Sequence, residues 1–193
     1  APYFEAILAE MRVHPVTKSS ELSKAWIAAA AERDWPEIDN TSGEYGEGVS
    51  WVSLNEFEGL RWSTAMAYLF PLSELPDNLH LQLETMVTQI LIEDGRATGV
   101  VTDQGVFSAR REVIVSAGAV GTPKLLMLSG IGPADHLRDH GIDIVADRPG
   151  VGSNLQDHIE SPLTWEASRP AGESINGLDL ALYASLGPGD ENF

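Results

Sequence analysis

Residues 152–160, GSNLQDHIE, set Asn154, Gln156, Asp157, His158 and Glu160 behind a glycine-rich turn. Amides, carboxylates and an imidazole this close together make either a hydrogen-bonded corner between structural units or one wall of a ligand site. Glu160 is the most pointed of them. A carboxylate beside aromatic rings holds a quaternary ammonium by Coulomb attraction and cation–π contact, and Trp165 lies close by in sequence. A tryptophan is more often a core residue, so the pair stands between two readings.

A second stretch, SAGAVGTPKLL (116–126), has strand–glycine–helix form. Small residues let backbone approach a ligand closely, and a helix N-terminus favours an anion. A tight structural turn gives the same spacing. His136 and His140 stand at i, i+4. HxxxH could hold zinc, but Leu137 occupies the position of the usual general-base glutamate and no third ligand is evident. A solvated helix end is the plainer reading, with His140 suited to the negative end of the dipole. GEYGEG (43–48) lacks the GxGxxG order and no strand precedes it, so it reads as loop. Asn40-Thr41-Ser42 matches the glycosylation sequon, which matters only in a secreted protein. No Ser/His/Asp triad, P-loop, paired carboxylates or metal site is recognisable.

The elements that must carry these groups read as alternating helix and strand. ELSKAWIAAAAER (21–33) predicts an amphipathic helix capped by Ser19 or Ser20, and residues 36–48 a loop. WVSLNEF (51–57) predicts a strand, Glu58-Gly59 a turn, and STAMAYLF (63–70) a short helix capped by Ser63 or Thr64. LHLQLET (79–85) and MVTQILIE (86–93) are β-rich, Asp94-Gly95 is a hairpin signal, and RATGVVT (96–102) returns. A turn at 103–105, VFSA and the apolar strand EVIVSAG (112–118) complete a β-meander running into a buried strand. Thr122-Pro123 then predicts the N-cap and first position of a helix that Gly130 and Gly132 stop. Pro133 opens a second short helix ended by Gly141, IDIVAD is a last strand, and RPGVGSN (148–154) is a turn.

Composition narrows the function. The 193 residues suffice for one domain or parts of two. Twelve Lys and Arg against 29 Asp and Glu give a formal charge of −17, which disfavours a nucleic-acid or anionic-membrane surface. The absence of Cys excludes disulfides, thiolate metal sites and a Cys nucleophile, and fits a reducing compartment. No apolar run is long enough for a transmembrane helix, and APYFEAILAEM is not a signal peptide. Both ends read as cut from something longer.

Residues 113–158 carry a resemblance. Gly118-Ala119, Thr122-Pro123, Leu125-Leu126, Ser129-Gly130-Ile131-Gly132 and the PGVG-NLQDH block resemble the second signature region of the glucose–methanol–choline (GMC) flavin oxidoreductases. GLRWSTAMAYLFP (59–71), NLHLQLETMVTQIL and ATGV (97–100) fit the family in the same order, and APYF resembles the helix before its first substrate-domain segment. The resemblance implies an α/β fold: the centre of a Rossmann-like FAD-binding domain with a β-meander, plus segments of a substrate-binding domain. It divides the chain into a substrate-domain segment with its lead-in helix (1–57), an FAD-domain segment (58–158) and the start of a second substrate-domain segment (159–193). The family's N-terminal pyrophosphate loop and C-terminal catalytic His are not among these residues, so the chain reads as a central piece without a catalytic residue of its own, inactive alone.

By the same resemblance the cofactor is FAD. Val87 falls where the family's backbone meets the adenine, and Ser116, Ala117 and Gly118 line the strand end beside the ADP half. The pattern is nearest the choline-oxidising branch, where Glu160 faces the trimethylammonium head. That branch's tryptophan pair is replaced by Gly177 and Leu178 in ESINGLDLALY (173–183), so the aromatic part of the cage is either absent or supplied by other groups such as Trp165. The implied activity is oxidation of a primary alcohol, choline-like or other, by hydride transfer to flavin, in a bacterial cytoplasm, with electron acceptor and oligomeric state open. The alternatives are a non-redox relative that keeps FAD, as a lyase or photoenzyme, and a binding module without catalysis.

Overall fold

The structure, a computed structural model, describes residues 2–39, 41, 46–170, 172–174 and 177–184. In chain order its elements are α1 (Pro2–Glu10), β1 (Val13–Pro15), α2 (Glu21–Ala31), β2 (Gly48–Trp51), β3 (Ser53–Phe57), β4 (Leu60–Arg61) and α3 (Thr64–Tyr68). There follow β5 (Val87–Glu93), β6 (Arg96–Thr102), β7 (Gly105–Ser108), α4 (Gly118–Leu128), β8 (Ile131–Gly132), α5 (Ala134–Asp139), β9 (Ala146–Asp147) and β10 (Leu180–Tyr183). They fall into two compact units, the described residues of Ala1–Leu79 with Leu163–Phe193, and His80–Pro162. No helix among the described residues is long and apolar enough to cross a membrane.

In the first unit, the expected strand 51–57 is split at Val52 because the chain changes partners there. β2 pairs with β10 and β3 with β1, both antiparallel. The Val52 N–H donates to the Asp179 carbonyl at 2.9 Å, while its own carbonyl accepts from Val16 N at 2.9 Å. Glu58 and Gly59 both have positive φ, the combination of a type I′ turn, and return the chain from β3 to β4. Arg12 lies 3.8 Å from the ring centre of Phe57 and 4.2 Å from that of Trp62, a cation–π contact with both rings.

Helix α2 begins as expected at Ser20, whose Oγ accepts from Ser23 N at 3.1 Å. A residue far along the chain completes the cap. Asp179, only 6% exposed, accepts from Ser20 N at 2.9 Å and from the Ser23 hydroxyl at 2.7 Å. Burial opposes ionisation of this carboxyl most strongly of any single cause, but the hydrogen bonds from the Ser23 hydroxyl, the Ser20 amide and the Ser174 and Ser20 side chains together outweigh it and hold its pKa below the usual range. Ser63 caps α3 in the same way, accepting from Met66 N.

The second unit is built on the meander β5-β6-β7. Asp94 and Gly95, again both at positive φ, join β5 to β6. Gly99 is required by proximity: a Cβ there would stand 2.3 Å from the Phe107 carbonyl oxygen. Helix α4 packs against β5, the edge strand. Ser129, 3% exposed, makes the junction: its hydroxyl accepts from Ile90 N at 2.8 Å and donates to the Leu125 carbonyl at 2.7 Å. Gly130 then turns away at φ +80, where a Cβ would lie 2.4 Å from the Asp143 carbonyl oxygen. β8 pairs in parallel with β9, and Leu137 of α5, fully buried, anchors that helix.

Three expectations are corrected. Residues 79–85 and 112–117 form no strand; they lie outside regular structure, with Leu83 and Ile114 largely exposed, because no described strand stands beside them to complete a ladder. IDIVAD is strand only at Ala146–Asp147. Helix α4 starts at Gly118, and Pro123 lies inside it rather than at its first position. Thr122 is not the N-cap: from within the helix, its Oγ1 accepts from Ala117 N at 3.1 Å. The left-handed φ of Gly118 lets the chain enter the helix one turn early.

Removing the Ser129 hydroxyl leaves the buried Ile90 N–H without an acceptor. Ser129→Ala is expected to cost about 1–3 kcal/mol in urea denaturation, and Gly130→Ala more, since it adds a clash to an unfavourable φ. Equal stability of Ser129→Ala and the parent would contradict this junction. The His14 ring bonds the Pro15 carbonyl at 2.9 Å and the Glu56 carbonyl at 3.0 Å. Donating to both carbonyls requires the imidazolium, so the Pro15 bond first and the Glu56 bond next raise its pKa above the ordinary 6.5. Its contribution to stability is therefore full below pH ~6.5 and lost as pH rises through the raised value. An NMR titration placing His14 at or below 6.5 would contradict it.

Candidate functional site

The exposed entrance of α4 and the outer edge of β5, both in the second unit, carry the residues that the sequence singles out for a cofactor. At the start of β5 the Met86 carbonyl accepts from Asp103 N at 3.1 Å, so Met86 faces β6. Peptide groups of successive strand residues point to opposite edges, which turns the N–H and C=O of Val87 outward. A bulge between Val87 and Gln89 shifts the register, and Ile90 then faces the same outer edge, where Ser129 takes its N–H.

At the helix entrance, Ser116, Ala117 and Gly118 are exposed. Gly118 has φ +81, and beyond its chain neighbours and its own helix backbone no heavy atom of the described residues lies within 4 Å of where its Cβ would be. The N-cap Ala117 offers no side-chain cap, and the first turn carries no acidic residue. The first-turn amides have no intrahelical acceptor and sum to a partial positive charge. In a chain of formal charge −17, this end is free of nearby sequence carboxylates and suited to an anion or a closely approaching planar group.

An open groove of about 740 Å³ continues from that entrance, between α4 and the loop 152–156. Ala119, Val120, Lys124 and Met127 line one side; Asn154 and Gln156 are on the other. Its volume lies within the range of small-molecule sites. Two of the polar residues singled out in the sequence are thus brought to the entrance of α4. The spacing of the sequence does not point to Lys124 and Met127, whose place on the groove side follows from the way α4 is docked.

Other candidates are placed less tightly. Glu160 is exposed at the end of the second unit, and Trp165, 79% exposed, belongs to the first; neither lies in regular structure. Asp157 accepts the adjoining His158 N–H at 2.8 Å. Gly43, Glu44 and Tyr45 of the first glycine-rich run, Asn40 and Ser42 of the sequon, and Ile175 and Asn176 lie outside the described residues.

A model of the family GMC oxidoreductase matches residues 1–160. An oxygen-dependent choline dehydrogenase of Brucella ovis is 45% identical over 173 residues, covering 88% of this chain and 30% of that protein. The Sinorhizobium fredii protein of the same name is 48% identical over 153 residues, covering 77% of the chain and 28% of its own length. The chain thus spans under a third of these relatives. Among solved structures, pyridoxine 4-oxidase from Mesorbium loti superposes with a TM-score of 0.63 at 32% identity, over 71% of this chain and 28% of that one. A fungal aryl-alcohol oxidase gives 0.64 at 30% identity, over 83% and 27%. Mixed helix and strand, the order of the signature residues and these matches agree: the chain belongs to the GMC oxidoreductase family.

Proposed function

We propose that this chain is part of an FAD-dependent oxidoreductase acting on a primary alcohol, choline or a choline-like amino alcohol. The observation that carries the reading is the entrance of α4: an uncapped helix start, a left-handed glycine with open space above it, and no acidic residue in the first turn. That donor set fits the anionic ADP half of FAD, which backbone N–H groups at a helix start can approach closely. Val87 presents its outward peptide to the adenine, and Ser116, Ala117 and Gly118 line the ADP half. FAD, when bound, supplies the flavin that takes up the hydride. The named relatives act in support: two are choline dehydrogenases and two are oxidases by name, and none favours a lyase, a photoenzyme or a binding module.

The chain's remaining contribution is recognition. The Glu160 carboxylate meets the cationic head of the alcohol by Coulomb attraction. No histidine of this chain is assigned as the base that takes the hydroxyl proton.

The test uses the intact protein. It is expected to purify with a flavin absorption spectrum and to oxidise choline to the aldehyde. Glu160→Gln should lower kcat/KM for choline about tenfold or more relative to a neutral primary alcohol of similar size. Equal losses for both alcohols would remove the ammonium site while leaving the enzyme class intact. Protein without flavin and without alcohol oxidation would overturn the reading as a whole.

A further inference from the structure

Helix α5 carries two imidazoles that neither the fold nor the proposed reaction uses. His136 lies in its last turn and His140 is its C-cap residue. Leu137, fully buried, anchors the helix, and both histidines are exposed. Their ring centres are 4.6 Å apart, with planes at 68°. We propose that His136 and His140 form a surface chelate for one divalent transition-metal ion, zinc, nickel or copper(II).

The ring separation is the reason. With metal–nitrogen bonds of about 2.0–2.1 Å and each ring centre about 1.1 Å behind its nitrogen, two imidazoles on one ion have centres roughly 4.5 Å apart at a right angle and roughly 5.1 Å apart at the tetrahedral angle. The observed spacing falls in that range. Turning either ring about its Cβ–Cγ bond leaves its centre nearly in place while swinging the nitrogens, and this torsion has broad minima. Little further ordering is needed, which favours chelation.

The surroundings agree in sign. His140 sits at the C-terminal end of the helix, where the dipole is negative and a cation is favoured. The neighbouring cation, Arg138, is engaged in an ion pair with Asp135. The last turn is pinned by His140 N and Ile142 N, which donate to the Leu137 carbonyl at 3.2 and 2.9 Å. Among the described residues no group of three or more His, Cys, Asp or Glu could hold a metal. The ion therefore keeps water on its other positions, and the site is exchangeable rather than structural.

The experiment is a titration of the intact protein with zinc chloride and nickel chloride by calorimetry, and with copper(II) by electron paramagnetic resonance. The expected result is one ion bound through imidazole nitrogen, weakened about tenfold or more by His136→Gln and by His140→Gln and unchanged by His80→Gln. Both substituted residues are exposed, and circular dichroism checks that the variants remain folded. In the unsubstituted protein, zinc should also shift the ring resonances of His136 and His140. No binding, or binding that survives both substitutions with those resonances unmoved, would overturn the chelate.

Discussion

The hydroxyl of Ser129 is the contact on which the second unit turns. A sheet edge and a helix end each present backbone groups that their own ladders leave unmatched. Ser129 meets the first need, taking the edge amide of Ile90, and is itself held in place by giving its proton to the Leu125 carbonyl, which its own N–H also reaches. Ile90 is 5% exposed, so water cannot replace the bond. Because one end of α4 is fixed to β5 in this way, its other end, at Ala117 and Gly118, has a defined position relative to the outward peptide of Val87. The candidate nucleotide site is a consequence of that docking.

The glycines around Ser129 serve the same geometry. Gly130 lets the chain double back so closely that the Asp143 carbonyl and the Val145 amide occupy the space of a side chain. Gly132 stands against Met127 and Leu137. The Ser-Gly-Ile-Gly order is thus a packing requirement rather than a set of ligand contacts. Apolar burial contributes less: Val49, Ile90 and Leu137 are among the few buried hydrophobic side chains, while many large ones are exposed. Hydroxyl and carboxylate bonds to backbone, from Ser129 in one unit and Asp179 in the other, therefore carry an unusual share of the order.

What could be read from the residues was what is decided locally. Asp94-Gly95 and Glu58-Gly59 specify their turns through positive φ, and Ser20 and Ser63 specify helix starts through one hydroxyl each. Strands are different, because a β-prone run becomes a strand only beside a partner. LHLQLET and EVIVSAG have the right residue types and no described partner. The Thr-Pro signal misplaced the start of α4 because Gly118 could enter the helix earlier than a proline rule allows. At the site, the strand–glycine–helix pattern pointed to Ser116–Gly118. The edge-facing peptide of Val87, the groove side of Lys124 and the two hydrogen bonds of the Ser129 hydroxyl depend on register and long-range docking, which spacing does not encode.

The central claim is that the outer edge of β5 and the entrance of α4 meet one nucleotide. Amide hydrogen exchange on the intact protein, with and without FAD, tests it most directly. The account predicts slowed exchange at Val87 and at the first-turn amides Gly118–Gly121 when FAD is bound, with little change at β6. Unchanged exchange at both places in protein that has bound FAD would contradict it.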